Sequence, residues 1–299
     1  MKRINDIIRK IIFGAFIIGF AYIFLYPFLY MIVNSVKTND DLYSSVVVWI
    51  PRSLHFSNYK MASQILSYAN NLKNTVIVTV FSLLGQLVTC SMAGYGLARC
   101  RFVGKKALTF LMLLAMLIPA QTIIVPQYLI FSELGWINTY LPFIIPSWLG
   151  NGFKGALFIF IFRQFYSSLP RELEEAARVD GCGFIRTFFS IIFPISKSSY
   201  VVVTVLGMVW HWSNYFEPSI YISKTELSLL SSGLANLAEA VSRPPDVLEK
   251  LYDISSENVL NNAVLMAACF MVLIPILIVF AFLQRQFIEG IEHTGLTAE

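Results

Sequence analysis

The chain has 299 residues, 57% of them hydrophobic and 13% charged, with a mean hydropathy of +0.67. Soluble domains carry roughly 25% charged residues; this chain has too little polar side chain to cover its own apolar surface in water, which excludes an ordinary soluble protein. Its formal net charge of +4 is spread over several loops, which excludes the clustered basic surface of a nucleic-acid-binding protein.

The apolar stretches run to about 20 residues instead of alternating at every second position, so the expected class is an all-α integral membrane protein. The start, "MKRINDIIRKIIFGAFIIGFAYIFLYPFLYMIV", has the basic opening of a signal peptide. Its apolar run is too long for one, though, and lacks a small-residue cleavage site, so it reads as the first span. Six spans are expected, at about 11–33, 75–97, 107–130, 140–166, 198–221 and 262–284, each long enough to cross roughly 30 Å of hydrocarbon. The third and fourth contain Pro119, Pro126, Pro142 and Pro146. Breaks of that kind are tolerated in a membrane where neighbouring protein or a water-filled cavity satisfies the freed backbone.

Orientation follows from the basic residues. With a cytoplasmic N-terminus, the inside segments hold Lys2, Arg3, Arg9 and Lys10, then Arg99, Arg101, Lys105 and Lys106, then Arg163, Arg171, Arg178, Arg186 and Lys197, and finally Arg285. The outside segments, although longer, hold half as many: Lys37, Arg52, Lys60, Lys73, Lys224, Arg243 and Lys250. Both termini are therefore expected in the cytoplasm, with external loops at about 34–74 and 222–261 and a short one near 131–139.

Within this apolar chain the segment "LPRELEEAARVDGCG", residues 169–183, is conspicuously polar. Pro170 suits a helix start and Glu172 complements the helix dipole. Leu173, Ala176 and Ala177 form a narrow small-residue stripe, and Arg171/Glu175 and Glu174/Arg178 are i,i+4 pairs of opposite sign. Asp180-Gly181 ends the helix, since glycine accepts the left-handed conformation of a helix stop. A second, mostly apolar helix, "FIRTFFSIIFP", follows. Two readings stand on these residues alone: a linker helix packed on its own bundle, or a helix offered to a partner's groove.

The stretch "EEAARVDGCGFIRTFFSIIFP" resembles the cytoplasmic loop of the inner-membrane subunits of binding-protein-dependent ABC importers. Glu175, Ala176, Ala177 and Gly181 match its Glu-Ala-Ala and glycine positions; Ile191, Phe193 and Pro194 match its end, with Phe193 for a leucine and Ser198 where a further proline often stands. "YPFLYMIVNSVKTNDDLY", "WIPRSLHFSNY", "NTVIVTVFSLLGQLVTCSMAGYGLAR", "MLIPAQTIIVPQYLIFSELGWINTYL" and "FIFRQFYSSLP" extend the likeness to the carbohydrate-uptake branch, its maltose-permease-G-like half. The resemblance implies a MetI-like, type I importer permease fold. Residues 1–70 would be an N-terminal helix and external loop, 71–285 the five-helix permease domain with the coupling loop at 169–195, and 286–299 a cytoplasmic tail. It implies a multi-pass subunit of the bacterial inner membrane, forming half of a pore with a second permease. An extracellular solute-binding protein would deliver a sugar or oligosaccharide. A cytoplasmic ATPase dimer, holding ATP and Mg, would dock on Glu175, Ala176, Ala177, Asp180 and Gly181. The tail "HTGLTAE" departs from the family's Gly-x-x-Lys-Gly-like ending.

The remaining residues fit a non-catalytic subunit without a cofactor. There is no phosphate-binding loop; "GNGFKG" at 150–155 is too short and lies in a span. His55, His211 and His293 are too scattered to bind a metal, and Cys90, Cys100, Cys182 and Cys269 form no CxxC pair. Lys154 lies inside the fourth span, roughly 13 Å of helix from Arg163. A charge at that depth faces a cavity or a protein interior, or snorkels or pairs, for instance with Glu217. In "VWHWSNYFEPS", residues 209–219, Trp210, His211, Trp212, Asn214 and Tyr215 form either a sugar-compatible cluster or an interfacial aromatic belt. Lys154, Trp212 and Asn214 are the candidate translocation-path residues. A permease for an acidic sugar, with Lys154 as counter-charge, is the rival within transport. An ion-coupled secondary transporter calls for an internal repeat and a set of embedded carboxylates, which the sequence does not display.

Overall fold

The computed structural model describes residues 2–152, 154–243 and 260–295, and all their regular structure is helical. The helices are α1 (Lys2–Ser35), α2 (Asn39–Tyr43), α3 (Ser57–Ile65), α4 (Tyr68–Arg99), α5 (Lys105–Leu117), α6 (Ala120–Glu133), α7 (Leu141–Trp148), α8 (Gly155–Ser168), α9 (Glu172–Val179), α10 (Phe184–Ile195, with a π turn at Phe188–Ile192), α11 (Lys197–Ser213), α12 (Phe216–Tyr221), α13 (Leu230–Val241) and α14 (Asn262–Gly295). The centre of the expected external loop 222–261, including Pro244 and Pro245 of "SRPPDVLEK", and the end of the tail lie outside the described residues.

Among the described residues, three helices are long and apolar enough to cross a membrane: Arg9–Ser35, Tyr68–Arg99 and Asn262–Ile288. They coincide with the first, second and sixth expected spans. The third expected span is broken. Lys105–Leu117 and Ala120–Glu133 meet at 100°, and Phe184–Ile195 and Lys197–Ser213 at 77°; counting each bent pair as one span gives up to five among the described residues. At the first break Ile118 and Pro119 are both extended, with ψ of 118° and 137°. Proline removes a helix donor and pushes its predecessor out of the α region. The fourth expected span is two short helices, α7 of 8 residues and α8 of 14. At 1.5 Å per residue these reach roughly 12 and 21 Å, so neither crosses alone. Gly150 and Lys154 separate them, both left-handed, with φ of 73° and 63°.

Two compact units make up the chain, residues 1–68 with 234–274 and residues 69–233 with 275–299. In the first, α1 leaves Phe16, Phe20 and Phe24, and Tyr22, Tyr26 and Tyr30, on its surface at four-residue spacing. A helix apolar on that scale needs lipid or a partner around it. Beyond α1, buried Lys37 donates to the carbonyls of Val47 and Val48, both at 2.9 Å, and the Asn58 amide donates to those of Ser35 and Lys37, also at 2.9 Å. Asn261 caps α14, its Oδ1 accepting from the Ala263 and Val264 N–H groups.

The second unit is built around α4. Close helix approach in membrane proteins uses small residues, and three glycines act this way here. A Cβ on Gly94 would lie 2.7 Å from Phe162 Cβ and 2.9 Å from the Arg163 nitrogen, one on Gly207 2.7 Å from Leu83 Cδ1, and one on Gly85 2.6 Å from the Trp148 ring. The resulting core joins Cys90 and Tyr95 of α4 to Phe158, Phe162 and Tyr166 of α8, Phe188 and Ile192 of α10 and Val203 of α11. A second cluster gathers Val78, Ile124, Phe131, Phe143, Tyr221 and Leu229. Polar groups on α4 tie the broken helices to it: Ser82 donates to the Phe143 carbonyl at 3.1 Å, Thr89 to Ser147 at 3.1 Å, and Asn74 to Glu226 and Ser228 at 2.8 and 2.9 Å.

Candidate functional site

The polar segment forms helix α9, with Glu172, Glu174 and Glu175 in its first turn against the positive end of the helix dipole. Its stop is a Schellman motif: Gly181 is left-handed at φ 75°, the Cys182 N–H bonds Ala177 O at 2.9 Å, and the Gly181 N–H bonds Arg178 O at 3.0 Å. Pro170 precedes the helix by two residues.

The stripe divides in a way the helical spacing alone did not reveal. Ala177 is only 2% exposed and Leu173 half-buried, whereas Ala176, Glu175, Asp180 and Gly181 are exposed. Val179, overlooked in the sequence, is 87% exposed on the same free surface. Neither expected i,i+4 pair is among the ion pairs of the described residues. Glu174 turns inward instead, its Oε1 lying 3.3 Å from Arg99 Nε at the end of α4, with the side chains 11% and 6% exposed. The long reach of Arg99 lets a buried partner outcompete Arg178, which faces water.

Arg99 also donates from Nη2 to the Leu169 carbonyl, just ahead of α9. One turn back along α4, Tyr95 stacks on Phe184 at 4.7 Å, and meets Phe188 at 5.2 Å and Tyr166 edge-on at 5.6 Å. Residues 95 and 99 therefore grip the approach to α9, its first turn and the first half of α10. No sequence pattern marked Arg99 for this task; it read only as a cytoplasmic-side charge.

A cavity of about 220 Å³ opens where α5, α6, α7, α8, α11 and α12 break or end. Its polar lining comprises Gln127, Asn151, Lys154, His211, Glu217 and Tyr221. The His211 Nε2 is 2.8 Å from Gln86 Oε1, Asn214 Nδ2 donates to Glu217 Oε2 at 2.8 Å, and the Tyr221 hydroxyl donates to Gln127 Oε1 at 3.3 Å. Lys154 stands at the junction ahead of α8, outside any helix interior. Its Nζ lies 5.7 Å from the centre of the Trp210 ring, and Glu217 lines the same cavity. Of the candidate path residues, Lys154 lines the cavity, Asn214 holds one of its walls through Glu217, and Trp212 is buried and does not line it. Glu217 was missed as a site residue, although an ionisable group within a span is itself a signal of function. Among the described residues, no group of His, Cys, Asp and Glu has the makings of a metal site.

Residues 86–293 match the family described as binding-protein-dependent transport system inner membrane component. The chain belongs to this family. The matched stretch holds the whole of α9 and α10 and every residue of the cavity. Among similar proteins, the melibiose/raffinose/stachyose import permease protein MelC of Bacillus subtilis (strain 168) is 30% identical over 267 residues, 89% of this chain and 88% of the relative. The polygalacturonan/rhamnogalacturonan transport system permease protein YtcP of the same organism is 27% identical over 297 residues, 96% of each chain. The fold resembles a chain of a bacterial ABC transporter involved in the import of the acidic polysaccharide alginate, with a TM-score of 0.75 and 22% identity over 95% of this chain and 98% of that one. This inner membrane component is thus a several-helix membrane protein with an importer-permease fold.

Proposed function

We propose that the chain is one permease subunit of an ATP-driven ABC importer for sugars or oligosaccharides, and that α9 is its coupling helix. It forms half of the translocation pore with a second permease, crosses the membrane six times and keeps both termini in the cytoplasm. It receives solute from an external binding protein. It carries no catalytic group; a separate ATPase dimer binds and hydrolyses ATP. Glu175, Ala176, Asp180 and Gly181 meet that ATPase, Ala177 seats the helix on the bundle, and rigid-body rocking converts ATPase closure into alternating access. The solute passes the cavity bounded by Lys154 and, through their neighbours, Trp212 and Asn214. The sugar class draws on the names of the relatives.

The observation that carries this reading is the solvent-facing surface of α9, with its left-handed glycine stop, in a chain of this family. Charged and small residues exposed beside apolar spans suit a soluble partner in close contact. Gly181→Pro removes the N–H that bonds Arg178 O and imposes a negative φ where φ is +75°. Glu175→Lys reverses an exposed charge. Both variants should reach the membrane in normal amount, yet lose ATP-driven uptake and the ATPase that co-purifies with the wild type. Wild-type transport with wild-type ATPase association in both would refute the assignment.

A further inference from the structure

The charge pattern of the cavity carries a statement about what enters it. Lys154 occupies a left-handed position, which glycine adopts without strain and lysine does not. Glycines stand close on either side, Gly152 packed against Ser147 and Gln86, and Gly155 against Gly150, where a Cβ would lie 2.7 Å from the carbonyl oxygen. Backbone strain kept at a cavity wall points to a use for the side chain. That side chain places its ammonium 5.7 Å from the centre of the Trp210 ring, and the Glu217 carboxylate lines the same cavity. The carboxylate is in turn oriented by Asn214. One cation and one anion therefore face the same space, with the amide groups of Gln127 and Asn151, the His211 imidazole and the Tyr221 hydroxyl around them.

We infer that this cavity is a subsite of this subunit for one uncharged pyranose ring, with Lys154 donating to hydroxyl oxygens and Glu217 accepting from hydroxyl protons. The inference rests on the permease reading above. A sugar hydroxyl both donates and accepts, which a matched pair of opposite charges serves. A uronate ring adds a negative charge where the cation is already balanced, and like charges brought together without water are strongly disfavoured. The cavity volume of about 220 Å³ is below the roughly 300–1,000 Å³ of pockets that enclose drug-sized ligands, so it accepts one ring of a longer chain.

The test uses the complete complex, purified with its partner permease and ATPase in lipid nanodiscs and without the binding protein. The probes are methyl glucopyranoside and methyl galactopyranoside against the corresponding methyl uronides, titrated by saturation-transfer NMR. Wild type should bind the neutral glycosides at least about tenfold more tightly than the uronides. Glu217→Gln keeps the Asn214 bond but removes the negative charge from the cavity lining, and should invert the preference. Lys154→Met, at the exposed rim, serves as the second variant; it should weaken uronide binding further than neutral binding. A wild type that prefers uronides overturns the inference. So does a selectivity that stays the same in wild type and both variants, since the ring then binds elsewhere. ATP-dependent uptake by the wild-type complex is measured in parallel. Its absence refutes the permease reading, whereas intact uptake with unmoved selectivity refutes the subsite alone.

Discussion

Separating Arg99 from Glu174 should release α9 from the bundle while leaving the helix itself intact. The two charges are 3.3 Å apart with side chains 6% and 11% exposed. At an effective dielectric constant of about 20 their attraction is about 5 kcal/mol, against which each group lost its hydration on burial. Removing one partner of such a pair leaves the other charge buried and costs about 3–5 kcal/mol. Arg99→Met also removes the donor to the Leu169 carbonyl, adding about 1 kcal/mol. Replacing both residues by apolar ones of similar size, Arg99→Met with Glu174→Leu, leaves no stranded charge and should cost only about 1–2 kcal/mol. Denaturing-detergent unfolding of the four proteins in mixed micelles measures the cycle, and ATPase co-purification reads the coupling helix. The expected result is two single variants, each severely destabilised and poor in bound ATPase, with a double variant more stable than either. If the single effects instead add in the double to within about 0.5 kcal/mol, the two residues act independently and the anchoring role of the pair is wrong.

Other substitutions probe separate parts of the argument. Gly94→Val inserts bulk 2.7 Å from Phe162 Cβ and 2.9 Å from the Arg163 backbone, and should destabilise the protein by about 1–3 kcal/mol. Gly96→Ala, with open space at its Cβ, should gain up to about 1 kcal/mol of helix propensity in the same unfolding assay. Val179→Asp alters a side chain exposed on α9, so thermal stability should hold while ATPase association falls at least about tenfold, equivalent to about 1.4 kcal/mol. Gln86→Leu removes one hydrogen-bond partner of the buried His211 and should cost about 0.5–1.5 kcal/mol for the lost bond.

The α9 segment was legible because its signals are local. Charges amid apolar runs, a small-residue stripe and Asp180-Gly181 set a short exposed helix with a glycine stop, and the Schellman bonds of Gly181 and Cys182 bear that out. Which side of the stripe faces inward was not legible. Ala176 and Ala177 are adjacent and chemically identical, and the decision comes from Arg99, more than 70 positions earlier in the chain, through a non-local charge contact. The prolines pointed to bent spans near 119 and 142–146, yet the depth of the breaks depends on backbone partners. Those partners are supplied by polar groups of α4, Ser82 and Thr89, whose hydroxyls meet the carbonyls of Phe143 and Ser147. Lys154 was recognisable as an anomaly by depth alone. That it stands in a turn and shares a space with Glu217 required the fold of α8 and α12.

The same helix, α4, meets both functional regions. At its end Tyr95 and Arg99 hold α9 and α10; about two and a half turns away, Gln86 holds His211 of the cavity wall. An uninterrupted helix with Gly94 packed hard against α8 resists bending at that contact, so on the proposed reading a displacement of α9 would be carried along α4 as a rigid-body shift and not absorbed locally. The elements opposite it are of the other kind. α5 and α6 turn through 100° at Ile118–Pro119, and α7 and α8 are joined through left-handed Gly150 and Lys154, junctions where a change of φ and ψ can be taken up. On the proposed reading, a push on α9 would reach the cavity through His211, which Gln86 of α4 holds, while the broken elements that line the cavity supply the hinges. Crosslinking α4 to α8 near Gly94 should therefore leave transport intact, whereas a crosslink spanning the 118–119 break should stop it with ATPase binding unchanged. Equal tolerance of both crosslinks in an uptake assay would show that the moving boundary lies elsewhere.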